Sequence, residues 1–214
     1  MELNAYTFLS FQLLLTFQEH NLFILKFVAI FMPRKDFIYV GGVPGTGKTT
    51  LCKYILEKLN FCNYISSGEI KRPEARRRYG IGLSQLDQDK SFEINTWFFN
   101  KLFRRNSNGI YLVDTHYTYP FANSTFVNLC PESVAENIGL FVLFETNSEE
   151  IVERRINRGR DRDFVDVDFI KVELETERNE AIRLSKKFQT HLIILKNEGN
   201  LESSLCNFVD ILKI

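Results

Sequence analysis

Gly42-Val43-Pro44-Gly45-Thr46-Gly47-Lys48-Thr49 is the stretch that decides the fold of this 214-residue chain. It satisfies the pattern G-x-x-x-x-G-K-[ST], in which small residues let successive backbone N–H groups curve around a bound anion. In such a loop the lysine reaches the β- and γ-phosphates of a triphosphate, and the last hydroxyl ligates Mg²⁺. The sequence therefore predicts that Lys48 contacts a triphosphate and that Thr49 contacts its metal ion.

The residues on either side of this phosphate-binding loop supply the context that the motif requires. Phe37-Ile38-Tyr39-Val40 is a short β-branched and aromatic run, which predicts a buried strand. Beyond the loop, Lys48 to Leu59 carries apolar residues on one helical face, and the start of this helix directs its positive dipole at the same phosphates. Strand, glycine-rich loop and amphipathic helix in this order favour phosphate binding over an incidental glycine turn.

The composition is that of an ordinary globular protein. The chain is 44% hydrophobic and 25% charged, and its 27 Lys and Arg residues equal its 27 Asp and Glu residues. This balance excludes the global positive field that marks many nucleic-acid-binding proteins, so we expect no nucleic acid as a partner. Four cysteines without metal-ligand spacing indicate reduced thiols and a cytoplasmic protein.

The first 31 residues form a hydrophobic N-terminal extension that differs from the rest of the chain. Leu3 to Phe17 and Leu22 to Met32 are apolar runs, and each is shorter than the roughly 20 residues that span a bilayer as a helix. Met32 stands just before the first expected strand. We therefore expect the domain to occupy 32–214, with Met32 as a candidate start, and no membrane association unless the extension is real and inserted.

Downstream of the loop, short apolar runs alternate with amphipathic helical segments, which is typical of a parallel sheet covered on both faces. We predict one three-layer α/β domain of the P-loop NTPase class, with a five-stranded parallel sheet and small insertions. The segment from Tyr117 to Gly139 is expected to be mostly loop with one helical turn. The predicted strands cover 37–41, 62–66, 110–114, 140–145 and 191–196. The predicted helices cover 48–59, 69–79, 84–105, 148–157, 166–188 and 201–212.

Asp114 ends the apolar run Tyr111-Leu112-Val113. A carboxylate at the end of such a strand is how P-loop proteins hold Mg²⁺ opposite the loop hydroxyl. The alternative is that Asp114 only forms a turn, since Asp is common there. His116 follows two residues later and is a candidate nucleotide contact, although a lone histidine in a loop is more often structural.

Five arginines fall within nine positions, between Arg154 and Arg162. A solvated basic turn is the ordinary reading of such a charge run. Planar guanidinium groups, however, suit the equatorial oxygens of a phosphoryl group in transfer, and closing lids exclude water from such sites. Together with the loop, this cluster favours a mobile lid.

Ser67-Gly68-Glu69-Ile70-Lys71-Arg72 follows the second predicted strand and opens an arginine-rich helix. Ser67 and Glu69 have the residue types of helix caps. The arginines also make a second phosphate site plausible, one that would hold an acceptor.

These motifs together resemble the adenylate kinase and nucleoside monophosphate kinase family, most closely the archaeal-type adenylate kinases, over residues 36–214. The resemblance implies Mg²⁺-dependent transfer of the ATP γ-phosphate to AMP, with ATP and AMP as the small-molecule partners and a homo-oligomer left open. By position it implies lid roles for Arg155, Arg160 and Arg162. Ser67, Gly68 and Arg72 match the monophosphate-binding turn, with Arg72 near the acceptor phosphate. The residues implied at the donor are Gly42, Val43, Pro44, Gly45, Thr46, Gly47, Lys48, Thr49 and Thr50.

Two other functions remain open from the sequence. In a kinase for a hydroxyl-bearing metabolite, Asp114 would accept the hydroxyl proton. In a nucleotide-dependent assembly ATPase of the small adenylate-kinase-like type, hydrolysis would instead drive the rearrangement of a partner.

Overall fold

The computed structural model describes residues 37–58, 62–104, 109–121, 125–159 and 164–197. The N-terminal extension, the candidate start Met32 and the expected last helix over 201–212 lie outside these described residues. The domain boundary therefore stays a prediction.

The described elements agree closely with the expected order. Asp87 caps the start of the third helix, since its side chain accepts a 2.9 Å hydrogen bond from Lys90 N. In chain order the elements are β1 (Phe37–Gly41), α1 (Lys48–Lys58), β2 (Cys62–Ser66), α2 (Ser67–Tyr79), a 3₁₀ turn (Leu83–Gln85), α3 (Gln88–Phe103), β3 (Ile110–Asp114), β4 (Thr118–Pro120), β5 (Phe126–Asn128), α4 (Glu132–Ala135), β6 (Ile138–Glu145), α5 (Ser148–Arg158), α6 (Val167–Phe188) and β7 (His191–Lys196).

Five strands form one parallel sheet in the order β2-β3-β1-β6-β7, so the predicted α/β fold is confirmed. β1 is the central strand, and its Val40 lies beside Asp114 of β3 on one side and Val142 of β6 on the other. In open α/β sheets, ligands bind beyond the carboxyl ends of the strands where the chain order reverses. The loop after β1 leaves the sheet at this point.

Both faces of the sheet are covered by helices. On one face, α1 packs Leu51 and Ile55 against β1 and β6. On the other face, α3 packs Phe98 and Phe99 around Tyr39, while α6 adds Ala181 and Leu184. The apolar residues alternate between the two faces along β1, because successive side chains of a strand point in opposite directions. The result is the three-layer arrangement that the sequence predicts.

The region expected to be mostly loop contains an antiparallel hairpin. β4 and β5 pair Thr118 with Asn128 and Pro120 with Phe126, and α4 follows as the single helical turn. Each strand has only three residues and one carries a proline, so neither shows the alternating pattern that identifies a strand. None of the helices in the described ranges is long and apolar enough to cross a membrane.

Candidate active site

The phosphate-binding loop adopts backbone angles that only its glycines accept easily. Gly42 has φ of 143° and Gly47 has φ of 96°. A Cβ on Gly42 would lie 2.3 Å from the carbonyl oxygen of Phe144, and one on Gly47 would lie 2.7 Å from Asn197 Nδ2. Gly42 therefore requires glycine for conformation and for space, and Gly47 requires it for conformation.

Lys48 lies inside the loop with 5% of its surface exposed. Its ammonium donates hydrogen bonds to the carbonyl oxygens of Gly42 and Val43, the second at 3.2 Å. Burial lowers the pKa of this ammonium, although the nearby carboxylates of Asp114 and Glu177 oppose the shift. The cation is thus held beside the loop, where the motif predicts that it contacts phosphates.

Thr49 and Asp114 meet at the carboxyl edge of the sheet, as the sequence predicts. Thr49 Oγ1 donates a 2.5 Å hydrogen bond to Asp114 Oδ2, and Tyr64 OH donates to the same oxygen at 2.9 Å. Hydroxyl and carboxylate oxygens are the hard ligands that Mg²⁺ takes, usually with water and substrate phosphates completing the shell. The donor set therefore fits that ion.

His116 contacts the loop from the other side. Its Nδ1 lies 2.7 Å from the carbonyl oxygen of Gly42 and 3.5 Å from Lys48 Nζ. Burial and the positive charge of Lys48 lower the pKa of His116 well below its usual value. The ring is neutral at physiological pH, and its Nδ1–H donates to the Gly42 carbonyl.

Arg155 of α5 is buried, and its guanidinium is anchored to the phosphate-binding loop. Its Nε donates to the carbonyl oxygen of Pro44 at 2.9 Å and its Nη1 to that of Phe164 at 2.7 Å. Its Nη2 forms a buried ion pair with Glu173 at 2.8 Å. Arg155 still borders the cavity described below. The other two predicted lid arginines, Arg160 and Arg162, lie outside the described residues, and the roles of all three stay predictions.

Two arginines of α5, which the sequence analysis placed in the lid cluster without an individual role, reach the site. Arg154 Nη1 donates to the carbonyl oxygens of Gly45 and Thr46, at 3.2 Å each. Arg158 borders the cavity, and its charge contributes to lowering the pKa of Lys48. The signal was present in the sequence, because residues four apart share a helix face and Arg154 and Arg158 have this spacing.

Glu177 is a further site residue that the sequence analysis missed. This buried carboxylate of α6 accepts hydrogen bonds from Gly42 N at 2.7 Å and Tyr117 N at 2.8 Å. Its second oxygen accepts two more from the backbone N–H and hydroxyl of Thr118, both at 2.7 Å. Glu177 thereby joins the phosphate-binding loop to the segment that follows β3.

The predicted acceptor turn lies at the start of α2. Ser66 caps this helix by accepting a 3.4 Å hydrogen bond from Glu69 N, so the cap is one residue earlier than Ser67. Ser67 is buried, Arg72 is exposed, and both line the cavity with Gly68.

A single cavity of about 250 Å³ brings the donor and acceptor elements together. One side is formed by the phosphate-binding loop, Asp114 and His116, and the opposite side by the start of α2 with part of α3. Among the described residues no cluster of three or more His, Cys, Asp or Glu side chains could hold a metal ion. The arrangement suits two phosphate-bearing molecules that face each other.

Comparisons with known proteins agree with this geometry. A family model described as "AAA domain" matches residues 41–171. The chain is similar to an adenylate kinase of Methanothermobacter thermautotrophicus, at 27% identity over 82% of this chain and 98% of that protein. It is also similar to UMP-CMP kinase 1 of Oryza sativa subsp. japonica, at 26% identity over 76% of this chain and 67% of that protein.

Among solved structures, shikimate kinase from Acinetobacter baumannii in complex with shikimate matches with a TM-score of 0.56 and 18% identity. The match covers 83% of this chain and 93% of that one, and at this identity it shows the fold alone. The family match spans more than half of the chain and includes the whole phosphate-binding loop, so the chain belongs to the AAA domain family of that model, among the P-loop kinases.

Proposed function

We propose that this protein transfers the γ-phosphate of ATP to a nucleoside monophosphate, with AMP as the first candidate, in a Mg²⁺-dependent reaction. The observation that carries the proposal is the single cavity between the phosphate-binding loop and α2. The names of the two relatives, an adenylate kinase and a UMP-CMP kinase, support a nucleotide as the acceptor.

The chemistry needs little more than positioning and charge. The attacking atom is a phosphate oxygen that is already ionised at neutral pH, so no general base is required. Lys48 and the loop N–H groups orient the donor phosphates. Thr49 and Asp114 would hold Mg²⁺, which neutralises phosphate charge when bound.

The arginines after β6 complete the charge stabilisation in this proposal. Arg158 borders the cavity, while Arg155 holds the loop through Pro44. Arg160 and Arg162 are proposed as lid residues that approach the transferring group. By analogy with arginine fingers, Arg160→Ala is expected to lower turnover on the order of 10³-fold. Turnover within tenfold of wild type would remove this assignment.

A direct assay tests the reaction. Purified protein mixed with ATP, Mg²⁺ and AMP is expected to form two ADP for each AMP consumed. Parallel assays with CMP, UMP and dTMP identify the preferred base. The proposal would be rejected if none of the four monophosphates increased the formation of ADP from ATP.

A second acceptor class is favoured by one observation at Asp114. Its carboxylate borders the cavity, where a substrate hydroxyl could reach it. A hydroxyl-bearing metabolite bound there would find a base for its proton. ATP consumption with a small alcohol, and none with any monophosphate, would support this reading.

A further inference from the structure

Lys71 is a buried cation on the acceptor side of the cavity, within the predicted acceptor turn, to which the sequence analysis gave no role. It lies on α2 with 4% of its surface exposed and lines the cavity. Its Nζ donates a 2.7 Å hydrogen bond to Asn95 Oδ1 on α3. Its neighbour Arg72, which the sequence points to, is exposed.

Among the described residues, no carboxylate forms an ion pair with Lys71, so no side chain there neutralises its charge. Arg77 and Arg78 of the same helix differ, because both bond the carboxylate of Glu74. The partners of this buried ammonium are neutral, namely Asn95 and the ring of Phe98, whose centroid lies 5.8 Å from Nζ. Such burial is unfavourable for a charge, and it lowers the pKa of Lys71 to about 8. An anion from solution would remove this penalty.

Asn95 is oriented to keep the ammonium in place. Its Nδ2 donates a 2.8 Å hydrogen bond to the carbonyl oxygen of Ser91, which directs Oδ1 towards Lys71. An ammonium carries three donors and Asn95 accepts from one of them. The other N–H donors of Lys71 suit the oxygens of a phosphate or carboxylate.

We propose that Lys71, held by Asn95, binds the anionic group of the acceptor substrate. This rests on the proposed function in one respect, since it takes the α2 side of the cavity as the acceptor site. The anionic group is the phosphate of a nucleoside monophosphate or the carboxylate of a hydroxy acid. Lys71, rather than the exposed arginines of α2, is then the main cation for the acceptor.

The first test is Lys71→Met, with Lys186→Met as the control. Lys186 is an exposed lysine on α6, away from the cavity. Lys71→Met is expected to raise the KM for the acceptor roughly tenfold to a hundredfold, the range for loss of a charged hydrogen bond, with the KM for ATP unchanged. The control is expected to match wild type. An unchanged acceptor KM in Lys71→Met would overturn the proposal.

Asn95→Asp provides a second test of the same role if Lys71→Met folds poorly. The new carboxylate pairs with Lys71 inside the protein and competes with the substrate anion. Its other oxygen replaces the Nδ2 that donates to the Ser91 carbonyl, so we expect a lowered thermal midpoint, together with a raised acceptor KM. A stable Asn95→Asp protein with the wild-type acceptor KM would contradict the role of Lys71.

Binding measurements separate this inference from the proposed function. Calorimetric titrations of AMP, inorganic phosphate and shikimate into wild type and Lys71→Met need no turnover. Loss of shikimate binding in the variant, with no AMP binding by either protein, would support Lys71 while rejecting a nucleotide acceptor. Equal AMP binding by both proteins, or no binding of any probe by wild type, would overturn the Lys71 assignment. AMP turnover by the wild-type protein would still support the proposed function even if the Lys71 assignment were overturned.

Discussion

Glu177 Oε1 accepts a 2.7 Å hydrogen bond from the backbone N–H of Gly42, across 135 positions of the chain. The same carboxylate binds Tyr117 and Thr118, so one buried side chain holds two loops at the edge of the sheet. Burial raises the pKa of Glu177, whereas the hydrogen bonds and Lys48 favour its charged form. The phosphate-binding loop is therefore positioned by α6 as well as by its own glycines.

Glu177→Gln is expected to destabilise the protein by about 1–3 kcal/mol, the range for a buried polar group left without its partner. The new amide NH₂ would face N–H donors that a carboxylate oxygen now satisfies. Urea unfolding measures the loss, and the affinity for ATP should fall as the loop loosens. Glu175→Gln, at an exposed position of the same helix, is the control. Equal stabilities of the two variants would contradict a positioning role for Glu177.

Asp114→Asn is expected to raise the Mg²⁺ concentration that gives half-maximal activity. The amide keeps the shape of the side chain and its hydrogen bond from Thr49, but it removes the negative charge that attracts the ion. Activity measured across a Mg²⁺ titration checks this. Asp168→Asn, at an exposed position of α6, should reproduce the wild-type curve. A wild-type curve for Asp114→Asn would remove Asp114 from the metal site.

Arg155→Met is expected to lower the free energy of unfolding by about 3–5 kcal/mol, because it removes the cation that pairs with the buried Glu173 carboxylate. The double variant Arg155→Met with Glu173→Met should recover most of this loss. Urea unfolding of the two proteins measures both effects. A double variant that is stable but inactive would show that activity needs this ion pair, whose two residues both border the cavity.

Arg158→Met is expected to lower activity without lowering stability, unlike the change at Arg155. Because its side chain is exposed, stability should stay within about 0.5 kcal/mol of wild type. Turnover should nevertheless fall on the order of 10²-fold or more, since a guanidinium at the phosphates stabilises the transferring group. Kinetics and unfolding of the same preparation give both numbers, and full activity would exclude Arg158 from the reaction.

His116→Gln is expected to flatten the pH dependence of stability below the ordinary histidine pKa of about 6.5. The folded protein keeps His116 neutral because burial lowers its pKa, whereas the unfolded chain takes up a proton. Wild-type stability that is present above about pH 6.5 is therefore lost as the pH falls, by at most about 1.4 kcal/mol per unit for this group. Unfolding free energies from pH 7.5 to 5 test this, and parallel curves for the two proteins would contradict it.

Much of the fold was predictable because its signals are local. The strands at 37–41, 62–66, 110–114 and 191–196 have the predicted bounds, and only β6 begins earlier, at Ile138. Apolar runs and turn residues report strands directly. The hairpin of β4 and β5 was wrongly expected to be loop, since its stability comes from pairing and from Glu177 holding Thr118.

The sequence by itself determined the phosphate-binding loop, the parallel sheet around it and the candidate pair of Thr49 and Asp114. These follow from glycine spacing, from periodicity and from the rule that parallel strands end at one edge. Only the tertiary structure decided what the buried charges do. Arg155 pairs with Glu173, Glu177 holds Gly42, and Lys71 faces the cavity beside Asn95. Burial and long-range partners set the behaviour of such groups, and neither leaves a periodic signal along the chain.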